Sequence, residues 1–212
     1  MDNNCVFCDR AKLGERLIAE NSGWYVAATL GQIVGGYTLI IPKEHISCVG
    51  ALTSHYPGSQ TEAMLKITEK VCRALSLEYQ RNTSTTPYPV TTFEHGIVGQ
   101  TIKHAHLHLL PTVIDLTPKI QTDFPEAEFE ELQYAEHLQE LYSKRLEPYL
   151  FWTIPSGKSM VCWNPSAPLQ YLRLIMAELL GCPERGNWRN MNPELDKQLG
   201  QETVVRLKPY FS

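Results

Sequence analysis

The chain has 212 residues, a hydrophobic fraction of 43 % and a formal net charge of −4. This balance excludes a disordered chain and argues against a dedicated binder of long nucleic acid, which carries a basic surplus; one small nucleotide in a local polar pocket stays compatible. The length fits one large domain or one domain with a sizeable extension.

Met1-Asp2-Asn3-Asn4 lacks the basic and apolar regions of a signal peptide. No apolar run approaches the ~20 residues of a membrane helix. The expected setting is the reducing cytoplasm, with no membrane partner. There, Cys5-x-x-Cys8 reads as a metal clip or redox pair rather than a structural disulfide. Cys48, Cys72, Cys162 and Cys182 lie among apolar residues, as buried thiols do.

The first half reads as β-rich with one helix. Arg16 to Ala19, the turn Asn21-Ser22-Gly23, and Trp24 to Thr29 suggest two paired strands. Gly35-Gly36 opens a third, Tyr37 to Ile41, closed by Pro42. Met64, Ile67, Val71 and Leu75 recur with helical spacing within 59–80, and Ser59 or Thr61 suits the cap. Residues 82–89 read as a polar loop. Two more strands are expected near Val90–Glu94 and Lys103–Leu110.

Beyond residue 112 the character changes. The acidic stretch from Asp123 to Glu140, with Phe129, Leu132, Leu138 and Leu141, predicts an amphipathic helix with a solvated acidic face. Residues 148–164 read as a hairpin around Pro155-Ser156-Gly157. A helix is expected from Ala167-Pro168 to Leu180, ended by Gly181, and a partly helical tail follows from Asn192. The apolar residues Leu169, Leu172, Ile175, Met176 and Leu179 read as core or interface.

Three of the seven histidines fall within five residues, His104-Ala105-His106-Leu107-His108. On a strand they share one face at roughly 6–7 Å spacing. Polar faces are ordinarily Lys, Glu, Thr and Ser, so an imidazole face points to metal binding, phosphate contact or nucleophilic catalysis. Cys5-x-x-Cys8 is half of a zinc site; two histidines, with His45 and His104 as candidates, complete a tetrahedral set.

His104 to Leu110 resembles the histidine triad (HIT) signature, His-φ-His-φ-His-φ-φ with φ apolar. Cys5-x-Phe7-Cys8 is similar to the amino-terminal clip of the zinc-carrying branch. Gly36 to Ile46 resembles the strand ending in Pro-Lys-x-His-Ile, and Gly99-Gln100-Thr101 precedes the triad as in many members. The resemblance implies an α+β fold, an antiparallel five-stranded sheet with a packed helix, spanning residues 1–112 as the catalytic domain. It implies attack at the α-phosphorus of a nucleotidyl substrate, with His106 as nucleophile and His108 on the phosphate. Gln100, Thr101 and Glu94 are implied nucleotide or phosphate contacts. Cys5, Cys8, His45 and His104 are implied ligands of a structural zinc. Relatives of this kind pair as homodimers, which makes a homodimer one expected arrangement; an extension covering the pairing surface is the other.

Two positions depart from the pattern. Tyr37 stands where many members have histidine, and Phe93-Glu94-His95-Gly96 replaces Asn-x-Gly or Gln-x-Gly. A glutamate beside phosphate is electrostatically unfavourable unless turned to ribose or a cation. His95 is either a substrate contact or a strand end, and His55 and His137 read as surface residues. Residues 113–212 more weakly resemble the tail of CwfJ-type proteins through Ala167-Pro168-Leu169-Gln170, Ala177 to Arg189 and Leu207 to Phe211. Only architecture follows: a hairpin and helix packed on the triad sheet. The leading expectation is a nucleotide hydrolase or nucleotidyltransferase. The alternatives are a hydrolase whose catalytic metal sits on His104, His106 and His108, and a nucleotide-binding module without turnover.

Overall fold

In the computed structural model, which describes residues 5–53, 58–79 and 90–212, the segments of period-two hydrophobicity pair into one antiparallel sheet of eight strands. A short helix α1 (Arg10–Leu13) precedes β1 (Leu17–Glu20), β2 (Trp24–Ala28) and β3 (Thr38–Pro42). Helix α2 (Gln60–Tyr79) follows, with the Ser59 hydroxyl accepting from the Glu62 amide at its start. Then come β4 (Thr91–Gly96), β5 (Leu107–Leu110), α3 (Thr117–Asp123), β6 (Glu128–Leu132), α4 (His137–Arg145), β7 (Tyr149–Thr153), β8 (Ser159–Trp163), α5 (Tyr171–Leu179) and α6 (Pro193–Leu207). The α+β class stands.

The strand order is β1-β2-β3-β5-β4-β7-β8-β6. The five strands expected of the first half form one continuous run. The expectation of a five-stranded sheet is nonetheless too small, because β7, β8 and β6 extend the same sheet along β4. The polar loop 82–89 and His55 lie outside the described residues. No helix among the described residues is long and apolar enough to cross a membrane.

Side-chain alternation divides the core between the two faces. Trp24, Val26, Ile40, Leu107, Leu109, Phe151 and Val161 pack with α2 and α4 on one face. Tyr25, Ala27, Leu39, Ile41, Phe93, Leu150 and Trp152 pack with α3 and α5 on the other. Helix α5 therefore lies over the face to which Phe93 and His108 point. Leu172, Ile175 and Met176 of its apolar stripe are buried, whereas Leu169 and Leu179 are exposed.

Three local expectations are corrected. The acidic stretch does not form one helix: Glu128–Leu132 is an edge strand paired with β8. The spacing of Phe129 and Leu132 fits a helix by coincidence, while the sheet edge offers backbone partners and Arg145 bridges Glu128 and Glu130. Helix α5 starts at Tyr171 rather than at Pro168, because Gln170 takes a left-handed conformation (φ 65°) that cannot continue a helix backward. The histidine strand is shorter than expected: β5 begins at Leu107, so His104 and His106 sit on the approach to it. There the Ala105 amide donates to the Ile46 carbonyl at 2.6 Å.

Candidate active site and metal centre

The approach to β5 lets consecutive histidines turn in different directions. His104 meets the amino-terminal clip. Its Nδ1 lies 3.4 Å from Cys5 Sγ and 3.6 Å from Cys8 Sγ, and His45 Nδ1 lies 3.2 Å from Cys8 Sγ. The four donor atoms all lie within 4.8 Å of one another. A tetrahedral ion with Zn–S near 2.3 Å and Zn–N near 2.0 Å needs donors separated by roughly 3.3–3.8 Å, so this set fits one. The His104 tautomer agrees. Its Nε2 sits 2.8 Å from the Pro42 carbonyl, which can only accept. The ring proton is therefore on Nε2, and Nδ1 turns its lone pair to the cluster. The cluster can hold a metal ion.

That arrangement parts His104 from His106 and His108. A metal held jointly by all three histidines, one alternative above, does not match the geometry. His106 anchors differently: its Nδ1 lies 2.7 Å from the His104 carbonyl. Nδ1–H must donate there, so Nε2 carries the free lone pair. Phe7, between the two clip cysteines, stacks edge-on to both rings, 5.7 Å from His104 and 5.1 Å from His106 between centroids.

His108 projects from β5 beside β4, where it pairs with Phe93 in register and stacks on its ring at 4.5 Å. Its Nδ1 is 2.7 Å from the Tyr37 hydroxyl. Its Nε2 is buried and has no protein partner. His95, one turn of the alternation beyond Phe93, accepts from the Leu172 amide of α5 through Nε2 at 3.0 Å.

Burial sets the protonation of this group. It pushes His106 down to about 4, with the His104 carbonyl partly opposing and the His104 and Arg173 charges adding. Burial first, then His106 and Arg173, bring His95 to about 3. His108 is lowered well below the ordinary histidine value by burial and by neighbouring His106, His95 and Arg173. Burial also lowers His104. These imidazoles are neutral at physiological pH.

His95, His106 and His108 line a cavity of about 480 Å³ with the Gly99-Gln100-Thr101-Ile102 turn. Gly99 (φ 74°) must be glycine there: a Cβ would stand 2.9 Å from the Pro168 carbonyl and 3.0 Å from the His95 ring. Gln100 is buried and donates to the Ser47 carbonyl at 2.9 Å. Glu94 is not in the cavity. Strand alternation turns it to the opposite face, where it accepts from the Val49 amide and the Tyr149 hydroxyl, both at 2.6 Å. Its reading as a nucleotide contact is thus corrected. His137 caps no site; it stacks on Tyr134 at the surface.

The cavity also has residues that sequence reasoning missed. Gln170, Arg173, Trp188 and Arg189 come from the extension, and Lys12 and Arg16 from the start of the chain. Arg173 is buried, donates to the Gly31 and Gly186 carbonyls at 2.7 and 3.2 Å, and stands 5.1 Å over the Tyr37 ring. Gln170 ties the walls together. Its amide donates to the Gly99 carbonyl, and its side chain joins Asn187 and the Trp188 amide. No spacing in the sequence links these positions to the triad; only the packing of α5 does.

Residues 11–113 match the HIT domain family. An adenosine 5′-monophosphoramidase of Candida albicans is 26 % identical over 129 residues, which is 57 % of this chain and 82 % of that protein. The Protein hit of Bacillus subtilis is 26 % identical over 112 residues, 51 % of this chain and 70 % of that one. Among solved structures, a Zn-bound histidine triad family protein from Mycobacterium smegmatis has 24 % identity and a TM-score of 0.37, covering 51 % of this chain and 75 % of its own. A HIT family protein from Bacillus anthracis has 21 % identity and a TM-score of 0.43, covering 69 % and 97 %.

Proposed function

Because the chain carries a HIT domain over residues 11–113, we propose that it is a nucleotide hydrolase or nucleotidyltransferase that forms a covalent nucleotidyl-histidine at His106. The observation that carries this reading is the His106 tautomer: with Nδ1–H held by the His104 carbonyl at 2.7 Å, the Nε2 lone pair is the nucleophile. The name of the Candida albicans relative, an adenosine 5′-monophosphoramidase, supports a nucleotidyl substrate in general and does not fix the leaving group.

In the first step Nε2 forms a bond to the α-phosphorus. The bond from phosphorus to the leaving group breaks, and its electron pair departs with that group. The imidazole becomes cationic, and the His104 carbonyl, already accepting from Nδ1–H, stabilises that charge. In the second step water or another hydroxyl attacks the phosphorus. The P–N bond breaks, the pair returns to Nε2, and the proton of the attacking hydroxyl passes to solvent. The Nε2–H of His108, buried without a protein partner, donates to a phosphate oxygen. The turn at Gln100 and Thr101 contributes to the phosphate wall.

Cys5, Cys8, His45 and His104 would hold a zinc ion, which supplies cross-linking of the amino terminus to the triad segment rather than chemistry. It would keep Phe7 against His106. Mass spectrometry of the intact protein, incubated with a panel of nucleotidyl substrates, tests the reading. A nucleotidyl adduct on the wild type and none on His106→Ala is expected. Undiminished turnover by His106→Ala overturns it.

A further inference from the structure

The cationic wall of the cavity identifies the leaving group. Arg16, Arg189 and Lys12 line the same space as His106, with Arg173 behind them. Among the described residues no Asp or Glu lines it. Arg189 is exposed, and its guanidinium stands 4.5 Å over the Trp188 ring. Trp188 in turn presses against Gly31, where a Cβ would collide with it. The arginine is therefore pre-oriented by an aromatic platform rather than by a carboxylate, and its charge is available to a ligand. Arg16 is half-buried; its Nη2 donates to the Lys12 carbonyl at 3.3 Å.

A wall of this charge disfavours an amine leaving group. A primary amine departing from phosphorus carries positive charge once protonated, and it would leave past arginines. A phosphate oxygen departs as an anion and needs no proton. We propose that Arg189, Arg16 and Lys12 select substrates whose leaving group is itself a phosphate, so that the broken bond is a phosphoanhydride P–O–P rather than a P–N bond. This rests on the reading of His106 as nucleophile. In this reaction the His106 Nε2–P bond forms, the bond from the α-phosphorus to the bridging oxygen breaks, and the electron pair stays on the departing phosphate. The residues that select the leaving group lie at 188–189, beyond the matched domain, and at the start of the chain. The extension is thus a specificity element of the active site.

Binding to the His106→Ala protein tests the selection independently of turnover. The ligands are the adenosine and guanosine forms of a dinucleoside triphosphate, a nucleoside diphosphate sugar and a nucleoside 5′-phosphoramidate. Arg189→Ala is expected to weaken the two phosphate-leaving ligands about tenfold and the phosphoramidate less than twofold. Arg189→Lys is expected to restore part of the loss and Arg189→Glu to deepen it. The ligand weakened more by Arg189→Ala distinguishes a nucleotide from a sugar phosphate as the displaced group. Equal losses for all ligands, or failure of both phosphate-leaving ligands to bind, overturn the proposal. Selective binding with no adduct on the wild type instead overturns the nucleophile reading and leaves the recognition standing.

Discussion

The Tyr37 hydroxyl lies 2.7 Å from Nδ1 of His108, and both side chains are buried beneath the extension's helix α5. Burial holds the Tyr37 phenol up to about 12, against the opposing charge of Arg173, so it keeps its proton. That proton points to His108 Nδ1 and places the histidine's own proton on Nε2. The residue that departs from the triad pattern therefore fixes the tautomer that the proposed contact of His108 with phosphate requires.

Tyr37→Phe removes the donor and leaves Nδ1 unsatisfied. A loss of about 1–2 kcal/mol in folding stability is expected. The larger effect is expected on kcat, falling by about tenfold with KM little changed, because His108 can then carry its proton on either nitrogen. Steady-state kinetics and chemical denaturation of the same variant separate the two effects. A rise in KM with unchanged kcat would contradict this role.

The cluster of Cys5, Cys8, His45 and His104, which could hold a metal ion, was legible because its signal is local: Cys5-x-x-Cys8 and the surplus histidines state their ligand chemistry in the sequence. The core strands were legible for the same reason, through alternation. Glu94 was not. Its place in Phe93-Glu94-His95-Gly96, the segment that replaces Asn-x-Gly or Gln-x-Gly, suggested a nucleotide contact, but strand parity puts Phe93 and His95 on the triad face and Glu94 on the other. The edge strand Glu128–Leu132 was hidden because its apolar residues, Phe129 and Leu132, are three apart, a spacing that fits a helix and not the alternation of a strand. Arg173, Trp188 and Arg189 reach the cavity only through tertiary packing, which no window of sequence reports.

Cys8→Ser is expected to lower bound zinc below one ion per chain, measured by elemental analysis, and to lower the melting temperature. Chelation of the wild type is expected to do the same. Activity should fall less than in His106→Ala, since the ion would act on the proposed nucleophile only indirectly, through Phe7 and through the His104 carbonyl that holds His106 Nδ1. Loss of all turnover from a chelated protein that remains folded would instead assign the metal to catalysis.

Glu94 is a buried acid, fully enclosed and accepting from the Val49 amide and the Tyr149 hydroxyl. Burial raises it from 4.5 to about 7, with the hydrogen bonds from Tyr149 and Val49 opposing. A carboxyl group raised on folding stabilises the protein fully below its unfolded value. That contribution is lost as pH rises through the folded value, because the native state then holds a proton the unfolded state has released. At about 1.4 kcal/mol per unit the loss is of order 3 kcal/mol. Glu94→Gln is expected to gain stability relative to wild type between pH 5 and pH 8, by chemical denaturation at both. Parallel pH profiles for the two proteins would refute this.

Gly31 is where the extension closes on the first half of the chain. Its φ is +70°, and a Cβ there would collide with Trp188 and stand 2.6 Å from Arg173 Nη2. Gly157, in the β7–β8 turn, has a comparable φ of +87° but open space around its Cβ position. Gly157→Ala therefore reports the backbone cost alone, about 1 kcal/mol. Gly31→Ala adds displacement of Trp188 and Arg173, a further 1–3 kcal/mol or so. Because Arg189 rests on Trp188, Gly31→Ala is also expected to weaken binding of a dinucleoside triphosphate, whereas Gly157→Ala is not. Equal stability losses in the two variants would mean that the loop at Gly31 yields freely and does not set the position of the cationic wall.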